Sequence, residues 1–145
     1  MAIDARTLRI PADLDRLADV RRFIRAAAAS ADAPVDCLDD LVQAVDEAAT
    51  NVVVHGYDGR PGWLEVNVGF DGTSFVVTLE DEAPPFDPTL RPEPDLSIPP
   101  ERRRPGGMGV HLIRAATDEL SWRPRPGGGN ILRLVRARAD RQEEV

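Results

Sequence analysis

Two runs of strict alternation joined by one tight-turn signal constrain this chain more than any other feature. Leu64, Val66, Val68 and Phe70 alternate with more polar residues, Asp71-Gly72 follows, and Phe75, Val77 and Leu79 resume the alternation. A period of two places one set of side chains on one face of a pleated strand, and Asp-Gly between two such runs signals a hairpin. The segment is therefore an antiparallel ribbon with one apolar face, which must be covered by a second layer.

The rest of the chain supplies that layer. Leu38, Leu41, Val42, Val45, Ala49 and Val52 recur at helical spacing between about Asp36 and Gly56, the strongest helix pattern in the sequence. Upstream, Leu14, Leu17, Val20 and Ile24 form a second apolar stripe that runs into Ala26–Ala29, with Asp13 placed to cap it and Ala33-Pro34 to break it. Thr7 to Ile10 reads as a short strand ended by Pro11, and Tyr57 to Gly62 as a turn. Near the C-terminus, Val110, Ile113 and Ala116 mark a short helix, and Glu119–Arg123 and Ile131–Arg138 read as strands joined by Pro126-Gly127-Gly128-Gly129-Asn130. Between Glu82 and Pro105 all periodicity is lost and eight of the 13 prolines occur, which marks a long lid-like loop. The predicted fold is an α/β two-layer sandwich (α+β) over a single domain, residues 1–145. Its sheet is mixed and mostly antiparallel, its helices lie on one face, and its lid spans about 82–109.

Composition narrows the function classes. A net charge of -7 argues against sequence-independent nucleic-acid binding, which needs a cationic footprint. All 18 basic residues are Arg, so a P-loop lysine or a Schiff-base lysine is excluded. Cys37 is the lone cysteine, which rules out an internal disulfide and suits a small core residue. No apolar run approaches the ~20 residues that cross a bilayer, and the N-terminus lacks the pattern of a signal peptide. The expected location is the cytoplasm, with no membrane association.

Four features carry candidate chemistry. Glu47 and Asn51 are helical neighbours four apart, on roughly the opposite face from Val45 and Ala49. They form either a solvated polar face or, beneath a ligand, a general base beside an oxygen donor for Mg2+. Asp81 ends a strand, as a turn former or as an acceptor for a base amino group. Gly106-Gly107-Met108-Gly109 opens a helix, where close backbone approach and free N–H groups suit phosphate, although glycines also serve as hinges. Arg102-Arg103-Arg104 just before it is either a solvated charge run or a lid segment that reaches phosphates or an acidic partner. His55 and His111 share no metal-ligand spacing, and no serine is set in a triad pattern.

In order and spacing, these features resemble the GHKL ATPase/kinase superfamily, and most closely its anti-sigma-factor serine/threonine kinase branch. Asp46-Glu47-Ala48-Ala49-Thr50-Asn51-Val52-Val53-Val54-His55-Gly56-Tyr57 resembles the N box, Asp81-Glu82-Ala83-Pro84-Pro85-Phe86-Asp87-Pro88 the first glycine box, and Gly106-Gly107-Met108-Gly109-Val110-His111-Leu112-Ile113 the second. The resemblance implies a Bergerat-type ATP fold. By it, Glu47 is the catalytic base and Asn51 coordinates Mg2+. Asp81 holds the adenine amino group, with Ala83 and Phe86 in the same box. Gly106, Gly107, Met108, Gly109 and Val110 cradle phosphates, and Arg104 substitutes for an arginine that relatives carry where Pro105 stands. Ala83 stands where relatives usually have Gly, and Gly129-Asn130 where many carry Thr.

The implied activity is an ATP- and Mg2+-dependent protein kinase that sequesters a sigma factor and phosphorylates a STAS-type anti-anti-sigma antagonist on Ser or Thr. A homodimer is expected. The alternative is a catalytically weak nucleotide-binding module that controls a partner by binding alone.

Overall fold

A computed structural model describes residues 4–90, 97–99, 101 and 107–139. Five strands, β1 (Asp4–Pro11), β2 (Trp63–Phe70), β3 (Ser74–Asp81), β4 (Glu119–Pro124) and β5 (Asn130–Ala137), form one sheet in the order β1-β2-β3-β5-β4. Every pairing is antiparallel. The expected sheet was mixed and mostly antiparallel; the one found is wholly antiparallel because each neighbouring pair runs in opposite directions, including the long-range β1–β2 and β3–β5 pairs.

The alternation read from the sequence is the alternation buried. Leu64, Val66, Val68 and Phe70 of β2 and Phe75, Val77 and Leu79 of β3 face the core, while the residues between them are half-exposed. On the other face, Thr7, Asn67 and Thr78 are joined by hydrogen bonds across three strands, and the Arg9 guanidinium lies 3.9 Å over the Trp63 ring. That face satisfies its polar groups laterally, so only the apolar face requires helices.

Among the described residues three helices cover it: α1 (Leu17–Ser30), α2 (Val35–Asn51) and α3 (Gly107–Ala116). Asp13 acts as expected, accepting the Asp15 N–H, but it caps a short 3-10 turn, Leu14–Arg16, that leads into α1. Leu17, Val20, Ile24, Ala27 and Ala28 of α1 meet Leu41, Val42, Val45, Ala48 and Ala49 of α2 in the core. Full burial of each Val or Leu contributes about 1.5–3 kcal/mol, and the same core takes in the apolar face of the sheet. α2 is central and packs against both α1 and α3. Arg136 of β5 is buried, and its Nε lies 3.1 Å from Asp40 Oδ2, which ties α2 to the sheet.

The periodic segment expected to stay helical to near Gly56 changes character first. After Asn51 the chain continues as a π-helical turn, Val52–Tyr57, and stops at Asp58 in the left-handed region. Wider turns of this kind concentrate at functional sites. Tyr57 anchors its end. The phenol donates to Trp63 O at 2.6 Å and accepts from the Glu82 N–H at 2.9 Å. Gly62 makes room for the ring, since a Cβ there would lie 2.1 Å from it. One hydroxyl thus ties the end of α2 to the start of β2 and to the residue after β3. Tyr57→Phe should cost about 1–3 kcal/mol in urea unfolding by orphaning these groups; an unchanged midpoint would show that water replaces them freely.

A candidate nucleotide pocket at the end of the central strands

A slot opens where α2, α3 and the ends of β3, β4 and β5 converge. α2 and the turn after it contribute Ala48, Asn51, Val52 and Gly56; α3 contributes Ile113; β4 and β5 contribute Trp122, Asn130 and Leu132. Asp81 closes one end, and Phe86 and Pro88 of the lid root border it. A mostly apolar slot with a few polar groups is the usual form of a small-molecule site.

Asp81 is 1% exposed. Its Oδ1 accepts the Ala83 N–H and the Asn130 Nδ2–H, both at 2.9 Å. Among the described residues Oδ2 has no hydrogen-bond partner, and it is not sealed from solvent either. It is the oxygen left over on a carboxylate that lines the slot. Burial pushes the Asp81 carboxyl above the ordinary aspartate range, while the bonds from Asn130 and Ala83 pull it back.

Asn51 borders the same slot, and its amide has no hydrogen bond to any described residue. The sequence placed Glu47 and Asn51 opposite the apolar stripe; both are half-buried instead. The reason is angular. Asn51 lies only about 60° around the helix from Ala48, so it sits at the border of the stripe, where α3 and the sheet end meet α2. Glu47 does not line the pocket. Burial raises its carboxyl above the usual glutamate value, and the neighbouring Asp46 charge adds to the shift. Arg21 Nη1, 2.9 Å from Asp46 Oδ1, holds that neighbour in place.

The glycine-box residues divide. Phe86 lines the slot, and its N–H donates to Asn130 Oδ1 at 2.8 Å. Ala83 is buried behind Gly56 rather than in the lining; a Cβ on Gly56 would lie 3.2 Å from the Ala83 Cβ. Its φ is not positive, so the Ala in place of Gly carries no backbone strain. Gly107, Met108 and Gly109 form the first turn of α3, whose start provides positive dipole character. Val110 is buried in that helix and is not part of the lining. Arg104 and Gly106 lie outside the described residues, as do Arg102, Arg103 and Pro105. No helix among the described residues is long and apolar enough to cross a membrane.

Trp122 is a site residue that sequence reasoning missed, and Asn130, noted there only as standing where many relatives carry Thr, bonds Asp81 directly. They meet through strand register, since β5 pairs Asn130 with Asp81 and Leu132 with Trp122. Gly129 is indispensable to that register. Its φ is +116°, and a Cβ there would lie 1.9 Å from the Asp81 carbonyl oxygen.

The raised Asp81 titration has a stability consequence. An acid whose folded pKa is raised contributes stability below its ordinary range and loses it as pH rises through the raised value. An Asn at 81 can keep both bonds on Oδ1 without a charge. Asp81→Asn without ligand should therefore melt no lower than the native chain near neutrality, and its relative advantage should grow from acid toward neutral pH. A lower melting temperature at neutral pH would contradict the burial argument.

With this geometry in place, similarity to known proteins is informative. The histidine kinase-like ATPase domain family matches residues 10–136. An anti-sigma F factor from Thermoanaerobacter sp. is 26% identical over 116 residues, which cover 80% of this chain and 81% of that protein. An anti-sigma F factor from Halalkalibacterium halodurans is 30% identical over 116 residues, covering 79% of each. The serine-protein kinase RsbW of Bacillus cereus is 27% identical over 117 residues, covering 78% of this chain and 73% of that protein. Among solved structures, the RsbU and RsbW domains of Rv1364c from Mycobacterium tuberculosis superpose with a TM-score of 0.67 at 20% identity. That match covers 95% of this chain but 33% of the other, and it establishes the fold alone. With the family match running from residue 10 to residue 136 of a 145-residue sequence, the chain belongs to the histidine kinase-like ATPase domain family.

Proposed function

We propose that the protein is an anti-sigma serine/threonine protein kinase that takes ATP in the pocket described above, binds a sigma factor and phosphorylates an antagonist protein. The observation that carries this reading is the pairing, in one slot, of a buried carboxylate with one open oxygen and an unengaged amide. Asp81 Oδ2 is an acceptor of the kind that an adenine amino group needs, and the apolar walls suit a flat ring. Asn51, neutral and oxygen-bearing, suits Mg2+, which takes hard oxygen donors and keeps part of its water shell. The relatives named anti-sigma F factor and serine-protein kinase support the choice of partners.

The residues divide the work between binding and proton transfer. Asp81 and the apolar slot orient the nucleotide. The start of α3, from Gly107, presents backbone N–H groups toward which a phosphate chain is attracted. Bound Mg2+ offsets phosphate charge. Glu47, one turn before Asn51 and held less acidic by its surroundings, accepts the proton of an incoming Ser or Thr hydroxyl. Phosphoryl transfer depends mainly on positioning and charge neutralisation, so the absence of lysine is no obstacle. The reading includes a single cytoplasmic domain over residues 1–145, acting as a homodimer, with Arg104 and Gly106 among its phosphate-binding residues.

The test is label transfer from radiolabelled ATP with Mg2+ to candidate antagonist proteins. Native protein should label a Ser or Thr. Glu47→Gln should lose at least about a hundredfold in transfer while still binding ATP, and Asn51→Ala should bind ATP poorly. ATP binding with no transfer to any antagonist would instead favour the binding-only module. Because the base must be ionised, transfer should fall off on the acid side at a pH above the ordinary glutamate range. Asp46→Asn should move that limb to lower pH, and transfer that persists undiminished in Glu47→Gln would exclude Glu47 as the base.

A further inference from the structure

The geometry points to Asn130 as the positioning residue that both aims Asp81 and fixes the root of the lid. This inference rests on the reading of the slot as an adenine site and deepens it. Asn130 is 7% exposed, and every polar position of its amide is engaged. Nδ2 donates to Asp81 Oδ1 at 2.9 Å and lies 3.3 Å from both Ala83 O and Pro84 O. Oδ1 accepts the Phe86 N–H at 2.8 Å and the Trp122 Nε1–H at 2.9 Å. The orientation of the amide is forced. Its nitrogen end meets only acceptors, and its oxygen end meets two groups that can only donate.

Two consequences follow from that arrangement. With Oδ1 committed to Asn130 and Ala83, the Asp81 carboxylate cannot rotate freely, and Oδ2 is the oxygen left for a ligand in the slot that Asp81 lines. The same amide also grips residues 83, 84 and 86, so the lid leaves the sheet at a fixed point, and Phe86 is held against the slot. A hydroxyl at this position has one donor and a shorter reach, and it cannot hold both sets. Asn130 thus acts through Asp81 and Phe86 rather than on the reacting phosphate.

ATP and inosine triphosphate separate aiming from general damage. They differ at the ring position that the Asp81 acceptor reads, an amino donor in one and a carbonyl acceptor in the other. Calorimetric titration of the native chain in Mg2+ should favour ATP by at least about tenfold. In Asn130→Ala, ATP affinity should fall about tenfold or more while inosine triphosphate binding changes less, so the preference shrinks toward unity. Retention of the native preference, or an equal loss for both nucleotides in a variant with native circular dichroism, would overturn the inference. Should Asn130→Ala fail to fold, Trp122→Phe removes one of the two donors that hold the amide oxygen. It should lower the preference by a smaller factor, and an unchanged preference would overturn the inference. If the native chain binds neither nucleotide, the adenine reading itself falls and this inference falls with it. If it binds both equally, the slot does not read the amino group, and the Asp81 reading falls together with this inference; a native preference that survives in Asn130→Ala overturns this inference alone.

Discussion

A sheet with one apolar face and one polar face fixes this architecture. The polar face closes on itself through the Thr7–Asn67–Thr78 hydrogen bonds and the Arg9–Trp63 stack. The apolar face needs one layer of helices and no more. α2 fills the centre of that layer, and its small residues Ala44, Ala48 and Ala49 let it sit close to its neighbours. The layer stops short at the end where β3 finishes and β5 begins, and the π-helical turn that follows α2 is anchored there through Tyr57. The pocket is the space left at that boundary, so the site follows directly from how the two layers terminate.

Placing a carboxylate at that boundary works against stability and in favour of recognition. Asp81 is desolvated, and its environment holds it less acidic than usual. Hydrogen bonds from Asn130 and Ala83 recover part of that cost on one oxygen and leave the other available. A buried acceptor with a single open position discriminates strongly, because a ligand without a matching donor leaves it unpaired. Tyr57 and Asn130 hold the strand end from two sides. Tyr57 bonds Glu82 N, and Asn130 bonds Asp81, Ala83, Pro84 and Phe86.

Most of the layer structure was legible in the sequence because it depends on periodicity. The alternation of 64–79 and the stripes of α1 and α2 are local patterns, and most of the residues they mark are buried, although Leu14 is 55% exposed. Asp81 was legible as a strand-end acid, and Asn51 as an awkward polar residue within a helix. What periodicity could not show is register. Asn130 and Trp122 reach the pocket only because β5 pairs with β3 residue by residue, across a sequence separation of 49 from Asp81 to Asn130. A run of glycines before Asn130 signals a turn, but not that Gly129 must clear the Asp81 carbonyl. The helical-wheel reading set Asn51 opposite the apolar stripe, on a face either solvated or covered by a ligand, because it took no account of α3, which packs beside α2.

The central claim is that the slot reads an adenine ring through Asp81, with Asn51 serving the phosphate end. A crystal structure of the protein with Mg2+ and a non-hydrolysable ATP analogue tests it most directly. The account predicts the exocyclic amino group within hydrogen-bond distance of Asp81 Oδ2, Asn130 still bonded to Oδ1, and the Asn51 amide oxygen turned toward the metal. A base bound elsewhere, or one seated in the slot with Oδ2 turned away from it, would contradict the account.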